Sequence, residues 1–136
     1  MNTDKGIKLA LILVAVYVGI VVLFESSLGF FQPEAGNTIV IETFDGAGNG
    51  YTRVVSLLTS AGNEYVAVNH WPRAWYGRLE ETPRIGVTRD GGRAIFGAGI
   101  VSGAEHDRVR ADNPTPLAFR FLTGFPPRYF VRLDPQ

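Results

Sequence analysis

The sequence predicts a mainly β (α+β) fold: a small closed antiparallel barrel of six strands with short helices, preceded by one N-terminal transmembrane helix. Three observations predict it. An uncharged apolar run of 16 residues, 9–24, lies between Lys8 and Glu25. Past Glu34 the apolar residues recur mainly with period two, and glycine-rich turn signals interrupt them. The chain has 136 residues and no cysteine, enough for one core after the helix but with no disulfide to staple it, and closing the sheet removes exposed strand edges in so small a domain.

The run LALILVAVYVGIVVLF, at about 1.5 Å per residue, covers about 24 Å of a hydrocarbon core of roughly 30 Å. Lys8 can snorkel at one end, and Ser26 to Phe31 extend the helix at the other, so residues 7–31 are expected to span the bilayer. The anchor is therefore assigned to residues 1–31, a linker to 32–37 and the barrel domain to 38–136. A cleaved signal peptide is the competing reading, because Lys5 and Lys8 form a basic start. The exit ESSLGFFQPE lacks a clear pair of small residues in A-x-A spacing, which favours a retained anchor. Lys5 and Lys8 precede the helix and the next basic residue is Arg53, so the positive-inside rule keeps the N-terminus in the cytoplasm and sets the domain outside.

Thr38 to Phe44 (TIVIETF) reads as the first strand, and Asp45-Gly46-Ala47-Gly48-Asn49-Gly50 as a hairpin-type loop. Residues 51–59 form the second strand, Ser60-Ala61-Gly62-Asn63 a second turn, and residues 64–70 a third strand, which together make a meander. A helix follows over residues 71–81: Pro72 suits a first turn, Trp75 and Leu79 share one face, and Pro83 ends it. Residues 84–89 and 93–101 flank Asp90-Gly91-Gly92, a hairpin signal. Gly97 and Gly99 lie on one face of the later strand, where missing side chains allow tight curvature or close approach by another group. Ser102 and Glu105 match a capping box that opens a polar helix to about Ala111. Residues 116–122 form a last short helix, stopped by Gly124, and residues 128–133 the sixth strand.

Charge and motifs exclude several functions. The chain has 13 basic and 13 acidic residues, and residues 35–136 hold 11 Arg, no Lys and 10 Asp or Glu, so no bulk positive charge points to nucleic acid. Thiol enzymes and Cys-ligated metals are excluded by the absence of cysteine. No nucleophile elbow, H-E-x-x-H or P-loop occurs, and the glycines of GAGNG and FGAG do not open a phosphate-binding strand-to-helix turn. No metal site is expected.

Residues 68–76, VNHWPRAWY, form the one dense constellation. Here a strand end meets a helix start, where backbone N–H groups and the helix dipole favour an anion and Arg73 adds a fork of donors. Trp71, Trp75 and Tyr76 supply aromatic surface, which suits a flat ring with a phosphate tail. The competing structural role is equally concrete: aromatic residues at helical spacing pack cores, Arg73 can pair with Glu80 or Glu81, and His70 shares a strand face with Val66 and Val68.

The stretch VNHWPRAWYGRLEETPRIGVTRDGG resembles the central segment of the deazaflavin-dependent nitroreductase and quinone-reductase family of the flavin-binding split-barrel superfamily. With YVGIVVLFESSLGFFQP and NPTPLAFRFLTGFPPRYF, the whole chain is similar to a membrane-tethered bacterial branch of that family. The resemblance implies a split barrel, a flavin or deazaflavin cofactor such as FMN, and a place in the bacterial cytoplasmic membrane. It also implies cofactor-binding roles for Arg53, Val68, Asn69, His70, Arg73, Trp75 and Tyr76, with arginines on phosphate and His70 and Trp75 near the ring. A homodimer holding the cofactor between subunits is implied as well. The sequence departs from the family at residues 45–50, where relatives carry a basic T-G-R-K-[ST]-G turn and this chain carries an aspartate and no cation.

Three functions follow. The first is a membrane-tethered oxidoreductase that reduces a quinone, nitro compound or similar lipophilic acceptor. The second is a non-catalytic accessory or assembly subunit of a membrane complex that has lost the cofactor, consistent with the altered turn. The third is a tetrapyrrole binder with His70 as axial ligand.

Overall fold

The computed structural model describes residues 2–30, 37–68 and 74–136, with the side chains of residues 28–30 left aside. Two compact units result, one built from the N-terminal helix and the segment Thr115–Pro126, the other from the remaining chain.

In the larger unit the strands are β1 (Thr38–Phe44), β2 (Gly50–Ser60), β3 (Asn63–Val68), β4 (Arg84–Arg89), β5 (Gly92–Ile100) and β6 (Tyr129–Pro135). They close into an antiparallel barrel in the order β1-β2-β3-β6-β5-β4. The meander predicted for the first three strands is present, and β1 pairs with β4 to complete the ring. Alternation decides which side chains go inside. Ile39 and Ile41 of β1 point inward with Val55, Val66, Val87 and Val131, and this cluster forms the barrel core.

Two tight turns hold the register. Ala61 and Gly62 lie at φ 49° and 80°, and Asp90 and Gly91 at 51° and 76°. Both central residues are left-handed in each case, the two-residue hairpin geometry that matches strand twist. Gly97 and Gly99 of β5 serve close approach, as expected. A Cβ at Gly99 would stand 2.8 Å from Arg132 Nη2 and from Asp134 Oδ2, so the side chains of β6 lie across the glycine backbone.

The helix α2 (Ala74–Glu81) follows β3, and its Trp75 and Leu79, one turn apart, enter the barrel core. The helix α3 (Gly103–Asp112) covers the outer face of β3 and β6, where Tyr65, Ala67, Val101, Val109 and Phe130 form a second buried cluster. Its capping box does not form. Ser102 occupies the N-cap with extended backbone and no side-chain hydrogen bond to the helix. Glu105 turns away to accept bonds from Tyr65 Oη at 2.9 Å and Arg132 Nη1 at 2.7 Å. An ion pair with a buried tyrosine beside it holds the carboxylate more strongly than one backbone N–H does.

The smaller unit contains α1 (Thr3–Phe30) and α4 (Leu117–Leu122). Residues Thr3–Ser27 of α1 have a mean hydropathy of 2.8, and the helix is long and apolar enough to cross a membrane.

Candidate functional site

The strand register gathers several predicted residues at one end of the barrel. Val68 ends β3, pairs with Tyr129 of β6, and is 1% exposed. The Leu57–Val66 pairing, carried two residues on, brings Val68 level with Val55, two residues along β2 from Arg53. Arg53 pairs with Ile41, so it shares the inward-facing set of β2 with Val55, and Tyr51 lies on the same face toward the strand's start. The turn from β1 to β2 and the helix α2 adjoin this end. Asn69, His70 and Arg73, with their neighbours Trp71 and Pro72, lie outside the described residues.

Trp75 and Tyr76 occupy different environments despite being adjacent. Trp75 is 6% exposed and packs into the barrel core, so its ring forms the floor beneath this end. Tyr76 stands partly exposed and stacks on Tyr129, with ring centroids 5.1 Å apart and planes 25° from parallel. Partial burial, followed by the nearby Glu80 carboxylate and Tyr129, raises the Tyr76 phenol above its ordinary pKa.

Tyr51, Arg78 and Tyr129, outside the sequence-predicted set, complete the corner. The Arg78 guanidinium lies 3.8 Å from the centre of the Tyr51 ring and donates to Thr43 Oγ1 at 3.3 Å. Arg84 covers Phe44, with its guanidinium 4.1 Å from the ring centre, but it alternates with the core-facing Ile85 and so stands on the outer face of the barrel. Stacking on a ring fixes an arginine's plane while leaving N–H donors at its edge for an anion. The signal for Tyr51 and Arg78 was present in their spacing: Tyr51 is two residues from Arg53 on one strand face, and Arg78 is one helical turn from Trp75.

The turn at residues 45–50 has the opposite charge. Asp45 Oδ1 accepts the backbone N–H of Ala47 and of Asn49, and Oδ2 accepts Asn49 Nδ2 and Tyr51 Oη. The Asn49 side chain and backbone contribute most to holding this carboxyl below its ordinary pKa, and Tyr51 and Ala47 add to it. The carboxylate thus organises the loop as a side-chain-closed turn. It also ties the Tyr51 hydroxyl to the loop while Arg78 sits on the ring face.

A second charged cluster surrounds α3. Arg132 pairs with Glu105 at 2.7 Å and with Asp134 at 2.6 Å. Arg108 donates to Tyr65 Oη and Ser60 Oγ, both at 3.1 Å, and Ser60 donates to Asp112 at 2.7 Å. These bonds satisfy one another and bind the helix to the sheet. His106 faces the Arg128 carbonyl at 2.8 Å and the Phe130 ring. An open groove of about 390 Å³ lies toward the far end of β2, lined by Asn37, Ser56, Leu57, Leu58, Thr59 and Asn113. Its lining carries no charged side chain.

Solved structures share this fold at low sequence identity. A protein of unknown function from Agrobacterium tumefaciens superposes with a TM-score of 0.56 at 17% identity, over 71% of this chain and 47% of that one. The haem storage protein HutZ from Vibrio cholerae gives 0.54 at 17% identity, over 74% and 82%. An F420-H2 dependent reductase gives 0.51 at 12% identity, over 73% and 99%. The fold is a split barrel. This chain spans about half the length of the Agrobacterium protein and nearly all of the reductase. No protein-family model matches the sequence, and no curated protein matches it. What the split barrel shares with these proteins is architecture, since a barrel of this kind hosts redox and haem-binding proteins alike.

Proposed function

We propose that the chain is a membrane-tethered split-barrel oxidoreductase that uses a flavin-type cofactor, deazaflavin or FMN, to reduce a quinone, nitro compound or similar lipophilic acceptor. The observation that carries this reading is the presence of Arg53 and Arg78 with Tyr51, Tyr76 and Tyr129 at the barrel end where β3 passes to α2, with Arg78 stacked on Tyr51 and Tyr76 stacked on Tyr129. The donor set fits a phosphorylated planar group: guanidiniums for the phosphate and partly exposed rings for the flat face. Trp75 supports the site from below rather than touching the ring, and Val68, Asn69, His70 and Arg73 supply the connecting backbone and a further cation. A bound flavin or deazaflavin supplies hydride or electron transfer, while the chain supplies position, charge and exclusion of water. The anchor concentrates the enzyme where a lipid-dissolved acceptor resides. A homodimer is part of the proposal, with the partner closing the open side of the cofactor.

The Asp45 turn favours a second reading, an accessory subunit of a membrane complex in which the barrel persists without a cofactor. Its carboxylate repels phosphate at the rim, and its bonds to Asn49 and Tyr51 show that it has a structural task.

The absorption spectrum of the detergent-purified chain separates the readings. Flavin or deazaflavin bands support the oxidoreductase, a Soret band indicates a tetrapyrrole, and a colourless protein that binds neither FMN nor deazaflavin on titration supports the accessory role. Arg53→Ala and Arg78→Ala are each expected to weaken cofactor binding by about tenfold or more, as loss of a charged hydrogen bond does. Unchanged affinity in both variants refutes the proposed phosphate site.

A further inference from the structure

We infer that the segment Thr115–Pro126 is a second membrane-embedded element, a short helix and turn inserted in the bilayer beside the C-terminal half of α1. The inference rests on the reading of α1 as a span, and it assigns lipid acyl chains as the partner of the segment's exposed apolar face.

Contacts within the smaller unit fix its position. Tyr17 Oη donates to the Phe121 carbonyl at 2.9 Å, and the two rings lie 5.0 Å apart. Phe24 meets Phe119 edge-on at 5.9 Å. The backbone at Gly124 approaches α1 so closely that a Cβ there would stand 3.1 Å from Val21 Cγ1. Tyr17, Val21 and Phe24 recur at the i, i+4, i+7 spacing of one helix face, and all fall within the uncharged run that ends before Glu25. Tyr17 is eight residues before Glu25, about 12 Å along the axis. A helix that touches Tyr17 in a membrane-spanning α1 therefore lies within the hydrocarbon rather than above it.

The segment is equipped for that environment. Leu117 is 70% exposed, Phe121 50% and Phe125 49%, an apolar surface left uncovered by the described residues. Arg120 is the only charged residue among residues 115–126. Its guanidinium lies over the Phe125 ring, and its long stem can carry the charge to the headgroups.

The decisive feature is the end of α4. A helix that ends in water can leave its last carbonyls to solvent, but one that ends in lipid must satisfy them internally. Here Phe125 N–H bonds the Arg120 carbonyl at 2.8 Å and Gly124 N–H bonds the Phe121 carbonyl at 3.2 Å, with Gly124 at φ 75°. This is the closing pair of a Schellman motif. The fully buried Thr123 sends its N–H and hydroxyl to the Phe119 carbonyl, with a further hydroxyl contact to Arg120. Tyr17 adds a second donor at Phe121. The carbonyls of residues 119–121 are all occupied, and prolines at 116, 126 and 127 remove N–H groups from the flanks.

The absence of native cysteine makes the test direct. Leu117→Cys, Phe121→Cys, Ile12→Cys and Asp107→Cys are made singly in the full chain, spin-labelled and reconstituted in phosphatidylcholine and phosphatidylglycerol vesicles. Collision with oxygen, which partitions into lipid, is compared with collision with a water-soluble nickel chelate. Labels at 117 and 121 are expected to favour oxygen as the label at 12 does, while the label at 107 favours nickel. Leu117 is largely exposed, so its variant remains informative if Phe121→Cys disturbs the contact with Tyr17. Nickel-accessible labels at 117 and 121 beside a lipid-exposed label at 12 overturn the inference and leave the anchor standing. Labels at 117 and 121 shielded from both agents also overturn it, because protein then covers the face. A nickel-accessible label at 12 defeats the anchor reading itself.

Discussion

Glu105 shows how one side chain in this protein serves the tertiary structure in place of the local rule. Hydrogen bonding from Arg132, opposed by desolvation and aided by Tyr65, holds its carboxyl below the ordinary value of 4.5. A carboxylate whose folded-state pKa is depressed contributes stability above its unfolded pKa, and that contribution is lost as pH falls through the lower folded value. Glu105→Gln is therefore expected to cost about 1–2 kcal/mol at pH 7, a fall of roughly 4–15 °C in melting temperature for a domain this size. At about pH 3 the difference between parent and variant narrows. Thermal unfolding of both proteins at the two pH values checks it; a gap that stays constant with pH contradicts the assignment. Glu64, lowered chiefly by its bidentate bond to Arg89, adds a parallel acid sensitivity.

At the scale of the element, α2 and the hairpin turns make the sharpest predictions. Helix α2 closes the end of the barrel by inserting Trp75 and Leu79, so Trp75→Ala leaves a cavity under the candidate site. It is expected to destabilise by about 3–5 kcal/mol, measured by urea denaturation. A loss near 1 kcal/mol would mean that the barrel does not depend on this helix. The β2–β3 turn predicts a gain. Ala61 sits at φ 49°, where a Cβ is unfavourable, and its side chain is exposed. Ala61→Gly should stabilise the protein by up to about 1 kcal/mol and raise its melting temperature by a few degrees. The same exchange at a right-handed exposed position does the reverse.

For the whole molecule, the proposed anchor and the proposed redox site stand or fall on separate measurements. A helix that packs against a later segment through Tyr17, Val21 and Phe24 has a structural partner that a cleaved leader does not need. The protein is expected to retain residues 3–30 in its mature form, read by intact-mass analysis, and to resist extraction by alkaline carbonate. A shorter, carbonate-released species would identify the helix as a processed leader. Cofactor titration separates the proposed enzyme from the proposed accessory subunit.

The pattern of apolar residues determined the elements. Period two from Thr38 to Phe44, the Asp90-Gly91 turn and the Trp75–Leu79 pair each act over a few residues, and their outcomes could be derived from local sterics and burial. Part of the candidate site was visible in the local sequence: Val68 ends a strand and Tyr76 follows on the helix, whereas Arg53 was singled out only by the family resemblance. The sequence alone could not assign Arg78 to Tyr51, Tyr129 to Tyr76 or Arg84 to Phe44, because those pairs meet only when α2 folds onto the β1–β2 end, β6 joins β3 and β1 joins β4. Nor could the spacing of Ser102 and Glu105 reveal that Arg132 and Tyr65 compete for the carboxylate. Tertiary structure decided these contacts, and it placed Thr115–Pro126 beside α1, because side chains distant in sequence gain their partners only after chain closure has brought their backbones within reach.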